Sequence, residues 1–219
     1  IVDVATGAIR DLAVPRLEVD NDVVWRPADG RELLFTARPI ADSPRGAKLL
    51  AIRPDGTGLR TILEERPFDW PYLGLTVAPD GKTGSYWMYE PVDGSPDLHA
   101  HVHLFGVDTG VDTVQHFDPA NVDESELQWS PDGTLGLIVS ATTRAHVQVI
   151  AFDGSALIRT LGPSFRGDED KSVGWSPDGT SVILHFDNGR PSFIDVATGD
   201  IRTADGAWGR VGGWQRVAR

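Results

Sequence analysis

Apolar residues in this chain come in short runs, each closed by a turn rich in glycine, proline or aspartate. Leu135-Gly136-Leu137-Ile138-Val139-Ser140 and Ser181-Val182-Ile183-Leu184-His185-Phe186 are typical, with apolar side chains on successive positions. Runs of that length, with no sustained 3.6-residue period, predict β-strands covered on both faces and little helix. The turns recur as a phrase. Trp129-Ser130-Pro131-Asp132-Gly133-Thr134 is repeated as Trp175-Ser176-Pro177-Asp178-Gly179-Thr180. Looser copies are Trp25-Arg26-Pro27-Ala28-Asp29-Gly30 and Val77-Ala78-Pro79-Asp80-Gly81-Lys82, and Gly213-Trp214-Gln215-Arg216 is a partial one.

The Trp position falls at 25, 77, 129, 175 and 214, giving intervals of 52, 52, 46 and 39. Those periods are close to the roughly 40–50 residues of a four-stranded propeller blade. A second phrase repeats in phase: Ile1-Val2-Asp3-Val4-Ala5-Thr6-Gly7 is nearly copied by Phe193-Ile194-Asp195-Val196-Ala197-Thr198-Gly199. An apolar run, an Asp/Thr-Gly turn and a second run make a hairpin signal, because Gly supplies positive φ and Asp bonds its own turn. Each unit thus reads as four strands. The first ends at the Trp, where Pro removes a ladder donor and presets the turn.

The fold expected is all-β: a single β-propeller domain over 1–219 made of four-stranded antiparallel blades at 22–73, 74–125, 126–171 and 172–210. A fifth blade is assembled from both termini, with 1–14 as its outer hairpin and 211–219 as its closing inner strand. The alternative is a part of a six-bladed propeller. The fifth blade lacks one strand, so about a dozen further residues are expected ahead of Ile1.

Composition narrows the function. Gly and Pro together number 39, and they are this turn punctuation. The net charge of −12 argues against nucleic acid, which needs a basic footprint. Zero cysteines exclude a disulfide framework, thiolate metal sites and a cysteine nucleophile. No apolar run approaches the length of a membrane-spanning helix. There is no Gly-x-Ser-x-Gly elbow and no Gly-rich phosphate loop opening a helix.

The Trp-Ser-Pro-Asp-Gly units, each followed by an apolar strand and an Asp-x-x-Thr-Gly hairpin, resemble the TolB-type propeller repeats of bacteria. The closing Trp214-Gln215-Arg216-Val217 is similar to the terminal strand of that family. The resemblance covers essentially the whole chain, is specific for fold and unspecific for function. Val77 in place of Trp departs from the pattern, as does a count of about five blades where six or seven are commoner. The resemblance implies an extracytoplasmic setting in the periplasm or cell envelope.

Asp29, Asp80, Asp132 and Asp178 are read as turn caps, and Trp25, Trp129, Trp175 and Trp214 as packing between blades. Three other groups carry the functional candidates. The stretch Phe68-Asp69-Trp70-Pro71-Tyr72, close to strand Tyr86-Trp87-Met88-Tyr89, suits stacking on a sugar or gripping a peptide, with Phe68, Asp69, Trp70 and Tyr72 as the ligand candidates; the competing reading is local packing that compensates for the Trp missing at Val77. Residues ahead of the inner strands are acidic (Asp20, Asp22, Asp69, Asp123, Glu124, Glu126, Asp168, Glu169 and Asp170), and reading them as solubilising charge competes with reading them as a Ca²⁺ or other divalent-cation site at a channel mouth, with Asp22, Glu126 and Asp170 as ligands. His99, His101 and His103 alternate on one strand, as zinc-binding His-x-His pairs do, or form a hydrogen-bonded polar face.

The function expected is a non-catalytic, monomeric protein- or glycan-binding module that requires no cofactor. The alternatives are a divalent-metal-dependent propeller lyase or hydrolase, and an accessory or sensor domain of a larger protein.

Overall fold

A Pro-Asp-Gly turn after an apolar strand fixes where the strand must stop, and the computed structural model places its strand ends there. The structure describes residues 1–3, 5–14, 16–28, 30–39, 46–66, 72–91, 98–115, 123–141, 145–151, 157–165, 171–186 and 190–205. All the regular structure among them is β. The first sheet holds β1 (Leu17–Trp25), β2 (Leu33–Pro39), β3 (Ala47–Ile52) and β4 (Arg60–Arg66). The second holds β5 (Leu73–Val77), β6 (Thr83–Pro91), β7 (Leu98–Gly106) and β8 (Asp112–Gln115). The third holds β9 (Asp123–Trp129), β10 (Leu135–Ala141), β11 (Ala145–Ala151) and β12 (Leu157–Phe165). The fourth holds β13 (Lys171–Trp175), β14 (Ser181–Phe186), β15 (Ser192–Asp195) and β16 (Ile201–Thr203). Each sheet is antiparallel with its strands in chain order, the arrangement of a propeller blade.

The first strand of every sheet ends at Trp25, Val77, Trp129 or Trp175, the repeat position. The turn that follows is built from its own side chains. Ser130 Oγ donates to Asp132 Oδ1 at 2.6 Å and accepts the Leu135 N–H at 2.9 Å, while the Thr134 N–H donates to Asp132 Oδ1 at 3.1 Å. Ser176, Asp178, Thr180 and Ser181 repeat the pattern at 2.6, 2.9 and 3.0 Å. Gly133 and Gly179 sit at φ 76° and 73°, a conformation open to Gly at little cost. Asp80 accepts from the Lys82 N–H at 2.9 Å. Asp29 and Trp214 lie outside the described residues.

Strand starts differ from the sequence reading. β1 begins at Leu17 and β9 at Asp123, so Asp20, Asp22, Asp123 and Glu124 lie within strands and not in loops ahead of them. Ladder hydrogen bonds come from the backbone, so pairing runs through polar side chains wherever a bulge absorbs the extra residues. Such shifts occur between Val19 and Val23 on β1 and opposite Leu137–Val139 on β10.

The chain forms two compact units, Ile1–Leu98 with Val102–Gln115, and His99–His101 with His116–Arg219. In the first unit, residues 1–3 and 5–10 form a hairpin, with Val2 opposite Ile9 and the Arg10 N–H donating to the Ile1 carbonyl at 2.9 Å. One face of the first sheet (Leu34, Leu49, Ala51, Leu63) packs on Tyr86, Met88, Phe105 and Val107 of the second. Gly84 makes room there, because a Cβ at that position would come within 2.1 Å of Phe105 Cζ. The other face of the first sheet (Leu33, Phe35, Leu50, Ile52) receives Ile1, Leu12, Val14 and Leu17.

In the second unit, Leu137, Val139, Val147, Val149 and Leu161 of the third sheet pack on Val182, Leu184 and Ile194 of the fourth. The intervening positions Ile138 and Ile150 are also fully buried, so both faces of the third sheet are covered. Trp175 joins this core at 8% exposure, and its indole N–H donates to the Gln128 carbonyl at 3.1 Å. Trp129 is partly buried. Trp25 departs from the packing role expected of it. It is 49% exposed.

Candidate functional site

The second sheet concentrates the aromatic and imidazole side chains, and alternation along β6 sorts them onto two faces. Tyr86 and Met88 point into the core of the first unit; Trp87 and Tyr89 point the other way. Trp87 closes on the start of the sheet: a Cβ on Gly74 would stand 2.7 Å from its indole Nε1. Tyr89 meets Trp87 edge-on, with ring centroids 5.4 Å apart and planes at 79°, and is 45% exposed. An indole clamped on backbone beside a half-exposed phenol forms a pre-ordered aromatic surface, able to stack on an apolar face and bond a polar edge at small entropic cost.

Of the four ligand candidates read from sequence, Phe68, Asp69 and Trp70 lie outside the described residues. Tyr72 is a core residue instead. It is 1% exposed, sits edge-on to Tyr86 at 4.8 Å, and its hydroxyl donates to the Glu64 carbonyl at 2.6 Å. A ring enclosed in this way reaches no ligand at the surface.

The three histidines of β7 take different partners. His103 is 1% exposed and stacks on Tyr86 with centroids 4.6 Å apart and planes at 13°. Its Nδ1 lies 3.3 Å from Asp112 Oδ1 and its Nε2 3.4 Å from Glu90 Oε1, on opposite sides of the ring. The Tyr86 hydroxyl donates to the other Asp112 oxygen at 2.7 Å, joining three strands in one polar cluster beneath the core. His99 Nδ1 lies 3.4 Å from Asp123 Oδ1, which also accepts the Ala100 N–H at 2.8 Å. His101 is buried at 8%. Two nitrogens that face carboxylates on opposite sides of one ring do not offer those carboxylates to a common ion. Among the described residues no three His, Asp or Glu side chains are grouped to hold a metal.

Among the acidic candidates, Asp22 accepts the Leu75 N–H at 3.1 Å and so ties β1 to β5. Asp170 and the side chain of Glu126 lie outside what the structure describes.

A charge network absent from the sequence reading links the turns of the first two sheets. Arg26 stands where the repeat elsewhere has Ser130 or Ser176, and its guanidinium bonds Glu32 Oε2 at 2.8 Å, Asp108 Oδ2 at 2.6 Å and the Gly81 carbonyl at 2.8 Å. Arg60 grips the same Glu32 through Nε at 3.1 Å and Nη2 at 2.9 Å, and donates to the Val107 carbonyl at 2.9 Å. Hydrogen bonds from Arg60, then from Arg26, hold Glu32 below its ordinary pKa, against an opposing effect of burial. Arg26 holds Asp108 below its ordinary value, and Arg26 itself is raised, first by Asp108. The replacement of Ser by Arg in the repeat was the visible signal; its partners, 6 to 82 positions away, were not.

No protein-family model and no curated protein sequence matches the chain. Solved structures do. TolB from Acinetobacter baumannii superposes with a TM-score of 0.58 at 16% identity, over 85% of this chain and 43% of that one. An oligogalacturonate lyase in complex with manganese gives 0.69 at 14% identity, over 96% of this chain and 61% of that one. A protein assigned as TolB from Agrobacterium tumefaciens gives 0.53 at 17% identity, over 80% and 61%. The chain therefore spans about half of the length of the structures it resembles. At such identities the likeness speaks for the fold, an all-β array of four-stranded antiparallel sheets of the β-propeller kind.

Proposed function

We propose that this chain is a non-catalytic binding module of TolB-like propeller type, which takes a protein or glycan ligand on the Trp87–Tyr89 face of the second sheet. The observation that carries the reading is the clamped aromatic pair, with Tyr89 45% exposed and Trp87 fixed over Gly74. The polar groups that could serve chemistry instead hold the fold: Asp22, Asp123, Asp132, Asp178 and Glu32 each accept backbone or guanidinium hydrogens. The module acts as a monomer, outside the cytoplasm, in one of two ways: on its own or as the accessory domain of a larger protein.

The test is a fluorescence titration of the protein with panels of oligosaccharides and of unstructured peptides, repeated with Trp87→Ala and Tyr89→Ala. Loss of one stacking side chain should weaken binding about tenfold, the equivalent of about 1.4 kcal/mol. A ligand whose affinity is untouched by both substitutions would refute the site.

A second reading, a divalent-metal-dependent lyase or hydrolase, is favoured by one observation. The structure that covers 96% of this chain is that of an oligogalacturonate lyase with manganese. Its candidate ligands are His99, His101, His103, Asp22, Glu126 and Asp170. Calorimetric titration with Mn²⁺ and Ca²⁺ decides it: heat at one-to-one stoichiometry favours this reading, and no heat or melting shift removes it.

A further inference from the structure

Alternation along the second sheet sorts charge as well as rings. Tyr86 stacks on His103, so the His103 side of β7 shares the core face of Tyr86 and Met88, and Asp112 joins it opposite Phe105. Glu90, two positions beyond Met88, lies 3.4 Å from His103 on that same face. His99 and His101 alternate in step with His103. Lys and Arg are absent from β5 to β8, so these residues account for every acidic, basic or imidazole side chain of the four strands. The opposite face carries Trp87 and Tyr89, with Leu73 directly opposite Trp87 and Thr76 opposite Ser85. From β8 it takes Thr113 and Gln115, which oppose Leu104 and Val102. The four strands thus present an aromatic face without a charge of its own, in a chain that is 24% charged with a net charge of −12.

Such a face discriminates by what it fails to offer. A carboxylate or ammonium group laid on it gives up hydration and finds no opposite charge in return. An anion meets, in addition, the repulsion of the protein's negative field. An extended peptide fares little better. The N–H and C=O groups of a ladder lie in the plane of the sheet, so a peptide on the face would bury its own backbone groups without partners, and peptides that bind sheets pair at an edge instead. A sugar ring has an apolar C–H face for the aromatic pair and a rim of hydroxyls that keep their water. We propose that the ligand of the Trp87–Tyr89 face is an uncharged glycan, which stacks a ring on the aromatic pair and turns its hydroxyl rim to the Tyr89 hydroxyl and to water. This rests on the reading of that face as the binding surface and narrows its ligand to one class. The half-exposed Tyr89, at 45%, is where the ring enters.

Calorimetric titration with neutral hexasaccharides of glucose, xylose and mannose, with an oligogalacturonate of the same length and with short uncharged peptides tests this. One of the neutral sugars should bind, and the oligogalacturonate at least about tenfold more weakly. Raising NaCl about fivefold should move the neutral sugar's affinity by less than about twofold, since no charge pair is screened. Trp87→Ala and Tyr89→Ala should each weaken it about tenfold. Ligand preference is read on the unaltered protein, so it stands whether or not W87A folds. Oligogalacturonate or peptide bound as tightly as any neutral sugar, and lost in both variants, overturns the uncharged-glycan assignment and leaves the aromatic face standing as a binding surface. A neutral sugar bound equally by the unaltered protein and both variants overturns the surface itself. No heat from any neutral hexasaccharide overturns the assignment, and the peptide titration then decides the surface.

Discussion

Glu32→Gln is the sharpest perturbation the first unit offers. The Glu32 side chain is 16% exposed and accepts from two guanidiniums, Arg26 at 2.8 Å and Arg60 at 3.1 and 2.9 Å. Breaking a buried ion pair from one side typically costs about 3–5 kcal/mol, because the remaining charge is left without compensation. Two features reduce that here. Arg26 keeps Asp108 at 2.6 Å, and Arg60 is 33% exposed and keeps the Val107 carbonyl. The expected cost is about 2–4 kcal/mol. At about 2–4 °C per kcal/mol for a chain of this size, the melting temperature should fall by ~4–16 °C. Urea unfolding at neutral pH measures it, with Asp108→Asn as the comparison. Asp108 is 62% exposed, so its loss should cost about 1 kcal/mol or less. The pH dependence supplies an independent check. Glu32 is held below its ordinary value of 4.5, so its stabilisation is present above pH 4.5 and is lost as pH falls through the depressed value. The E32Q protein should lack that part of the acid limb. If E32Q costs no more than D108N, the network is a surface ornament and the reasoning fails.

Gly84→Ala should destabilise by about 1–3 kcal/mol through overpacking, since its Cβ would meet Phe105 Cζ at 2.1 Å, whereas Gly174→Ala, 3.7 Å from Ile183, should cost clearly less; thermal melts of the pair compare them. Asp178 is pulled down to a pKa of about 2, chiefly by the Ser176 hydroxyl and then by the Thr180 N–H. Its contribution is therefore full above pH 3.8 and disappears toward pH 2, and Asp178→Asn should flatten a stability profile measured across that window. Trp175→Phe removes the indole bond to Gln128 while keeping an aromatic ring, and should cost about 1 kcal/mol or somewhat more in denaturant unfolding.

The repeat phrase made the ends of β1, β5, β9 and β13 readable, because Pro and Gly act on the backbone locally. The starts of β1 and β9 were not readable. Asp20 and Asp22 look like loop residues, yet a bulge carries the ladder through them. The N-terminal hairpin and the Asp132 and Asp178 turns follow from residues within nine positions of one another, and their geometry was legible to that extent. Tyr72 was not. A pentapeptide containing Phe68, Trp70 and Tyr72 does not reveal which ring turns inward, and here a neighbouring strand's Tyr86 and the Glu64 carbonyl decide it. The same holds for His103, whose strand was correctly read but whose neighbours Glu90 and Asp112 arrive from β6 and β8.

The Ser-Pro-Asp-Gly-Thr turn also bears on how the chain reaches its structure. Its hydrogen bonds close within residues 130–135 and again within 176–181, and every ladder in the four sheets joins strands consecutive in sequence. Strand register can therefore be set hairpin by hairpin, before any distant part of the chain arrives. Contacts of such short sequence separation place these sheets toward the fast end for β-proteins, ahead of topologies with long crossovers. They also let structure spread from one repeat to the next, wherever along the chain the first hairpin happens to form.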